Sequence, residues 1–146
     1  MRFKFLDVEE EHPSPLEDAD VILLGGGNPY YLLHHLKASA ADQIIKAKFQ
    51  EGTLIVGISA GGLVLQPSLD LIDLCTPEMN TIGLLDKTGL GLINEYVLPH
   101  YDRFLEEGII QEADILNFEK QNGQRVLKLN EQQGIHFSKD AFAILE

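Results

Sequence analysis

A serine between small residues is the pattern in this sequence most suited to chemistry. Residues 57–61 read Gly-Ile-Ser-Ala-Gly, which places Ser59 in a GxSxG pattern. Small flanking residues allow the sharp strand-to-helix turn that holds a serine hydroxyl clear of a sheet. The apolar run Thr53–Gly57 predicts the strand, and Leu63 begins a second apolar run that predicts the helix. A structural turn with a hydrogen-bonded serine is the alternative interpretation.

A serine hydroxyl becomes a good nucleophile at neutral pH only when a base accepts its proton. Of the five histidines, His100 follows directly on the apolar run Tyr96–Leu98. Strand ends carry the functional sites of parallel sheets, so His100 is the predicted base. A histidine ordered by Asp102 or Tyr101 in a structural turn is the alternative. The other four are interpreted as surface or packing residues: His12, His34, His35 and His136.

A third group should orient the imidazole of the base. Glu131 follows the predicted strand Arg125–Leu129 and therefore lies just past a strand end. Asp102 and Asp70 are weaker candidates. A glutamate taken by itself is far more often a solvated turn residue, so the prediction rests on the position of Glu131 relative to Ser59 and His100.

Three glycines at residues 25–27 follow the apolar run Val21–Leu24. The amides of Gly26 and Gly27, together with that of Ala60, can donate to the oxyanion of a tetrahedral intermediate. The same glycines could cradle a phosphate, but they lack both the Lys-Ser/Thr of a P-loop and the GxGxxG spacing. A nucleotide site is therefore only weakly indicated.

Alternating strands and helices predict an α/β fold with a parallel sheet. The predicted strands are Val21–Leu24, buried on both faces, then Thr53–Gly57, Tyr96–Leu98, Arg125–Leu129, Gly134–Phe137 and Phe142–Leu145. The predicted helices begin at Pro29 behind an Asn28 cap, cover Ala40–Phe49, begin near Leu63 and cover Phe104–Phe118. Residues 66–91 are predicted to be a long irregular connection, and residues 121–124 a turn.

Composition bounds the function. A chain of 146 residues that is 45% hydrophobic predicts one domain over residues 1–146. Eleven basic against 23 acidic residues give a net charge of -12, which disfavours nucleic acid and anionic membrane surfaces as partners. The lone Cys75 cannot form an internal disulfide and lacks the spacing of a metal site. No export signal or membrane-crossing run is apparent, so we expect a soluble, cytoplasmic protein.

Several segments together resemble peptidase family S51, the serine peptidases that include α-aspartyl dipeptidases and cyanophycinases. Each segment is short, but their order along the chain also agrees with the family. The resemblance covers about Leu16 to the C-terminus. It is carried by the GGGN turn in Val21–Asn28, the GxSAG segment Gly57–Gly61, the Pro-His-aromatic segment Leu98–Tyr101, the acid segment Leu129–Glu131 and the closing hairpin Ile135–Leu145.

The resemblance implies a three-layer fold with a parallel sheet like that of class I glutamine amidotransferases. It also implies hydrolysis of small peptides through an acyl-enzyme, without a metal or an organic cofactor. Ser59, His100 and Glu131 would form the Ser-His-Glu triad, and Asn28 and Arg103 would contact the substrate. An Asp-containing peptide would need a cation, and Arg103 alone lies close to a motif residue.

Members of this family carry further strands and helices before the segment that matches Val21. The expectation for this chain is therefore a sheet without its N-terminal strands. Such a sheet exposes an edge and favours a homodimer. The alternative function is a catalytically inactive remnant that acts as a peptide-binding or interaction module.

Overall fold

The strands form three separate pairs in the computed structural model, which describes residues 1–146. The strands are β1 (Val21–Leu24), β2 (Leu54–Gly57), β3 (Tyr96–Leu98), β4 (Val126–Lys128), β5 (Gly134–Phe137) and β6 (Phe142–Leu145). β1 pairs with β2 and β3 with β4 in parallel, whereas β5 and β6 form an antiparallel hairpin. Parallel pairing and the C-terminal hairpin are confirmed. The single sheet that we expected is divided into two parallel pairs.

Six α-helices connect and cover these strands. They are α1 (Pro29–Ala38), α2 (Ala41–Gln50), α3 (Ala60–Leu63), α4 (Asp70–Cys75), α5 (Tyr101–Glu106) and α6 (Glu112–Asn122). Short 3-10 helices cover Ser14–Asp18 and Pro77–Met79. None of the helices has the length and apolar character that crossing a membrane requires.

The segment 66–91 is more ordered than predicted, because it contains α4 and a 3-10 helix. Leu71, Ile72 and Cys75 of α4 are buried, and they lie at the i, i+1 and i+4 spacing of one helix face. Pro67 and Pro77 flank the helix and limit it to six residues, which hid its period in the sequence. The prediction of an irregular connection was wrong here.

The predicted helix Phe104–Phe118 is two helices. Gly108 adopts a left-handed φ of 67° after α5, where a side chain would be strained. Gln111 then starts α6 with a capping box formed with Asp114. α6 continues to Asn122, into the predicted turn, and α3 begins at Ala60 rather than near Leu63.

Strand β1 is buried on one face only. Ile22 and Leu24 are 3% and 7% exposed, whereas Val21 and Leu23 are 51% and 52% exposed. Leu54 of β2 lies beside Val21 in the parallel register and shares this exposed apolar face. The expectation that β1 is buried on both faces was wrong, because the core covers one side of the pair and no element of the chain covers the other.

The buried amide of Gln66 joins the segment after α3 to strand β3. Its Nε2 donates to the carbonyl of Val97 at 2.8 Å, and its Oε1 accepts from the Val97 amide at 3.2 Å. Both polar ends of a 2% exposed side chain are thereby satisfied. This contact helps fix the position of the β3–β4 pair against the segment that follows β2.

Candidate active site

Ser59 occupies the turn between β2 and α3 in a backbone conformation that few L-residues adopt, with φ 50° and ψ -111°. The glycines on both sides are sterically required. A Cβ on Gly57 would lie 2.5 Å from the Gly62 nitrogen, and one on Gly61 would lie 2.1 Å from the Leu24 carbonyl oxygen. The GxSxG pattern therefore corresponds to a tight turn packed directly on the end of β1.

His100 follows β3 and is the one histidine in contact with Ser59. Its Nε2 lies 3.3 Å from the serine Oγ, and its backbone is left-handed, with φ 57°. Backbone bonds continue the β3–β4 pairing beyond the strands, since Leu129 donates to Leu98 and Tyr101 donates to Leu129, each at 3.0 Å. These bonds hold His100 beside the turn that follows β4.

Glu131 lies in that turn, with its Oε1 2.7 Å from His100 Nδ1. The structure thus brings together the serine, histidine and carboxylate that the sequence indicated. Asp70 instead accepts a hydrogen bond from Ser68, and no contact joins Asp70 or Asp102 to His100. The arrangement has the geometry in which an imidazole can take a proton from the hydroxyl while a carboxylate fixes its orientation.

Two of the candidate oxyanion donors, Gly26 and Ala60, lie next to this serine. A Cβ on Gly26 would lie 3.6 Å from Ser59 Cβ, so the glycine loop approaches the nucleophile closely. Gly27 has φ 129°, a conformation open to glycine and few other residues. The amides of Gly26, Gly27 and Ala60 donate no hydrogen bond within the protein. They are free to donate to an incoming oxygen.

Asn28 uses its side chain inside the protein. Its Oδ1 accepts from the amides of Tyr30 and Tyr31 at 3.0 and 3.1 Å, which caps α1 as predicted. Its Nδ2 donates to the Met79 carbonyl at 2.7 Å. Asn28 therefore fixes the glycine loop and α1 against the 3-10 helix at 77–79, a contact that sequence reasoning missed.

A second missed contact begins two residues further along the chain, at Tyr30. Tyr30 donates its hydroxyl to Asp73 at 2.7 Å, and Asp73 also pairs with Lys87. Burial and the Asp73 carboxylate raise the pKa of Tyr30. Burial acts to raise the pKa of Asp73, but the hydrogen bonds from Lys87 and Tyr30 keep it below its ordinary value. Tyr30 and Lys87 are 43 and 14 positions away from Asp73 in the sequence, so no local pattern could have predicted either contact.

The fold and the site define an α/β protein in which a serine on a strand-to-helix turn contacts a histidine, and the histidine contacts a glutamate. The model of peptidase family S51 matches residues 1–145, so the chain belongs to this family.

Relatives and one solved structure agree with this assignment. An uncharacterised peptidase of Pasteurella multocida is 33% identical over 85 residues, which are 58% of this chain and 41% of that protein. Peptidase E of a Shewanella strain is 35% identical over 101 residues, 67% of this chain and 41% of that protein. A crystal structure of a candidate peptidase E protein from Listeria monocytogenes has a TM-score of 0.74 at 22% identity, over 96% of this chain and 68% of that chain.

The part of the chain that aligns with these curated relatives spans less than half of their length. The likeness to the Listeria structure shows the fold, and the match to the S51 model shows the family.

Proposed function

We propose that this chain is a serine peptidase that hydrolyses small peptides through an acyl-enzyme. The observation that supports the proposal is the unbroken line of contacts from Ser59 Oγ through the two ring nitrogens of His100 to Glu131 Oε1. Membership of peptidase family S51 gives independent support.

In the proposed mechanism, Ser59 Oγ forms a bond to the carbonyl carbon of the peptide while its proton moves to His100 Nε2. Glu131 accepts the Nδ1 hydrogen bond and stabilises the imidazolium. The amides of Gly26, Gly27 and Ala60 donate to the oxyanion. Collapse of the tetrahedral intermediate breaks the C–N bond of the peptide, and the proton on His100 Nε2 goes to the departing amine.

Water then attacks the ester carbon, and its proton passes to His100. The second tetrahedral intermediate breaks the bond to Ser59 Oγ, which takes the proton back. The products are the free amine and the carboxylic acid, and the enzyme returns to its starting state. Each step uses side chains and amides of this chain alone.

Short peptides are the proposed substrate class, with Asp-containing dipeptides the first to test because the family to which the chain belongs includes α-aspartyl dipeptidases. We further propose that the complete architecture is of the class I glutamine amidotransferase type. The cytoplasm is the proposed location, consistent with a single, buried cysteine.

A fluorophosphonate tests the proposed nucleophile directly. Its phosphorus is attacked by Ser59 Oγ with loss of fluoride, and the reaction requires both an activated serine and a formed oxyanion hole. We expect one adduct per chain, located on Ser59 by intact mass and peptide mapping, and none on Ser59→Ala.

Ser68→Ala is the matched control, since the Ser68 hydroxyl hydrogen-bonds Asp70 and Tyr96 but has no imidazole partner. It should label at the parent rate. Peptide hydrolysis that persists in Ser59→Ala would show that the nucleophile is wrong.

A non-catalytic function is the second candidate, favoured by the exposed apolar face of Val21, Leu23 and Leu54. In this proposal the protein binds a peptide or a partner chain, including a second copy of itself, through that face and the retained site. Folded protein that forms no adduct with the fluorophosphonate would favour this second candidate.

A further inference from the structure

Glu131 Oε1 contacts two groups rather than one. His100 Nδ1 lies 2.7 Å away, and Nη1 of Arg103 lies 3.5 Å from the same oxygen. The carboxylate has no other partner in the structure. Arg103 thus touches the line of contacts at its far end, away from the nucleophile.

The two groups approach Glu131 from one face of α5. His100 is the N-cap of this helix, and Arg103 comes three residues later, a spacing that places side chains on the same face. The guanidinium carbon of Arg103 also lies 5.7 Å from the centroid of the Phe104 ring. Arg103 therefore contacts Glu131 on one side and lies near the Phe104 ring on the other, with its side chain 50% exposed.

The Glu131 side chain is 46% exposed, so its rotamer is set by its contacts with His100 and Arg103 rather than by burial. Its backbone lies in a turn in which the Asn130 side chain accepts from the Gln132 amide at 2.9 Å. That turn sets the position of the Cα but not of the carboxylate. A free glutamate in water would sample several rotamers.

We infer that Arg103 is a positioning residue that orients His100 through Glu131, and not a group that binds the substrate. This inference rests on the proposed function. An arginine suits this role because its charge is permanent and its planar group matches a carboxylate. To bind a substrate carboxylate, it would have to leave Glu131.

The rate of fluorophosphonate labelling separates the two roles, because this probe carries no carboxylate for Arg103 to bind. We expect Arg103→Met to slow labelling of Ser59 by about fivefold. This factor is the interaction free energy of an exposed charge pair, expressed as a ratio of rates. Arg103→Lys should recover part of the rate. In peptide hydrolysis, kcat should fall while KM stays near the parent value.

Lys128→Met is the matched control. It removes a cation that pairs with Glu112 at 2.9 Å and lies 4.9 Å from the Tyr101 ring, but that does not contact Glu131. Its labelling rate should equal that of the parent. In a Glu131→Ala background, Arg103→Met should have no further effect, since the acceptor that links it to His100 is already absent.

A measurement independent of activity uses ¹⁵N-labelled protein and long-range ¹H–¹⁵N correlations of the His100 ring. We expect the Nδ1–H tautomer to dominate in the parent and in Lys128→Met, and its share to fall in Arg103→Met. An adduct-free but folded parent would refute the proposed function while leaving this readout intact.

Three outcomes would overturn the inference. The first is an Arg103→Met variant with unchanged labelling and an unchanged tautomer. The second is the same loss of rate with and without the Glu131 carboxylate. The third is an increased KM with unchanged labelling, which would assign Arg103 to the substrate.

Discussion

Ser59 lies in a backbone conformation that costs about 1–3 kcal/mol when a non-glycine residue adopts it. Its neighbours make that conformation possible, because Gly57 and Gly61 leave no room for a side chain. The local sequence predicted this turn correctly, since the glycines, the preceding strand and the following helix all belong to one short segment. Gly57 and Gly61 are needed because any side chain would clash with the backbone, not because the turn needs flexible residues.

We expect Gly61→Ala to destabilise the fold by about 1–3 kcal/mol, because its Cβ would meet the Leu24 carbonyl oxygen at 2.1 Å. Gly62→Ala is the control, since its Cβ would meet only backbone atoms of Gly57, at ordinary distances of 3.5 and 3.8 Å. Urea unfolding of both variants provides the comparison. Equal losses would refute the steric explanation.

At the scale of elements, the positions of β1, β3 and the β5–β6 hairpin were predictable, because each is a short apolar run between turn residues. Their assembly was not. The sequence indicated one sheet, but the structure has two parallel pairs, with β3 attached through the side chain of Gln66. A buried glutamine side chain that bonds a strand's backbone, in place of a neighbouring strand, produces no periodic pattern in the sequence.

The candidate site was easier to predict than its surroundings. Ser59, His100 and Glu131 each lie just past a strand end, a position that local patterns identify. The contacts of Asn28 with Met79 and of Tyr30 with Asp73 join residues 51 and 43 positions apart. Such pairings depend on the tertiary fold, and a single sequence carries no pattern for them.

Gln66→Met should destabilise the protein by about 2–4 kcal/mol, because the amide and carbonyl of buried Val97 would lose their partners. Chemical denaturation measures the loss. Gln50→Met is the control, because Gln50 is exposed on α2 and makes no side-chain hydrogen bond, so it should change stability by less than about 0.5 kcal/mol. A Gln66→Met variant as stable as the control would mean that β3 is held by packing alone.

At the scale of the whole molecule, buried ionisable groups link stability to pH. Burial raises the pKa of Cys75 from 9.0 to about 11, and Tyr30 shifts in the same direction. The unfolded chain therefore loses these protons first. Stability is complete below about pH 9 and declines as the pH rises towards 11.

Replacing Cys75 with valine isolates one part of this effect. Between pH 8 and pH 10.5, the parent should lose about 1–2 kcal/mol more unfolding free energy than Cys75→Val, which has no thiol to ionise. Urea titrations at the two pH values measure the difference. Identical losses in parent and variant would show that the thiol does not contribute to the alkaline decline.

The division into two strand pairs also separates the origins of the reacting groups. Residues 21–63 build the turn that carries Ser59, whereas residues 96–131 supply both His100 and Glu131. A small shift of one pair against the other would lengthen the Oγ–Nε2 distance and leave the Nδ1–Oε1 contact intact. A substitution at the contact between the pairs can therefore change the Oγ–Nε2 distance while every residue of the motif stays the same.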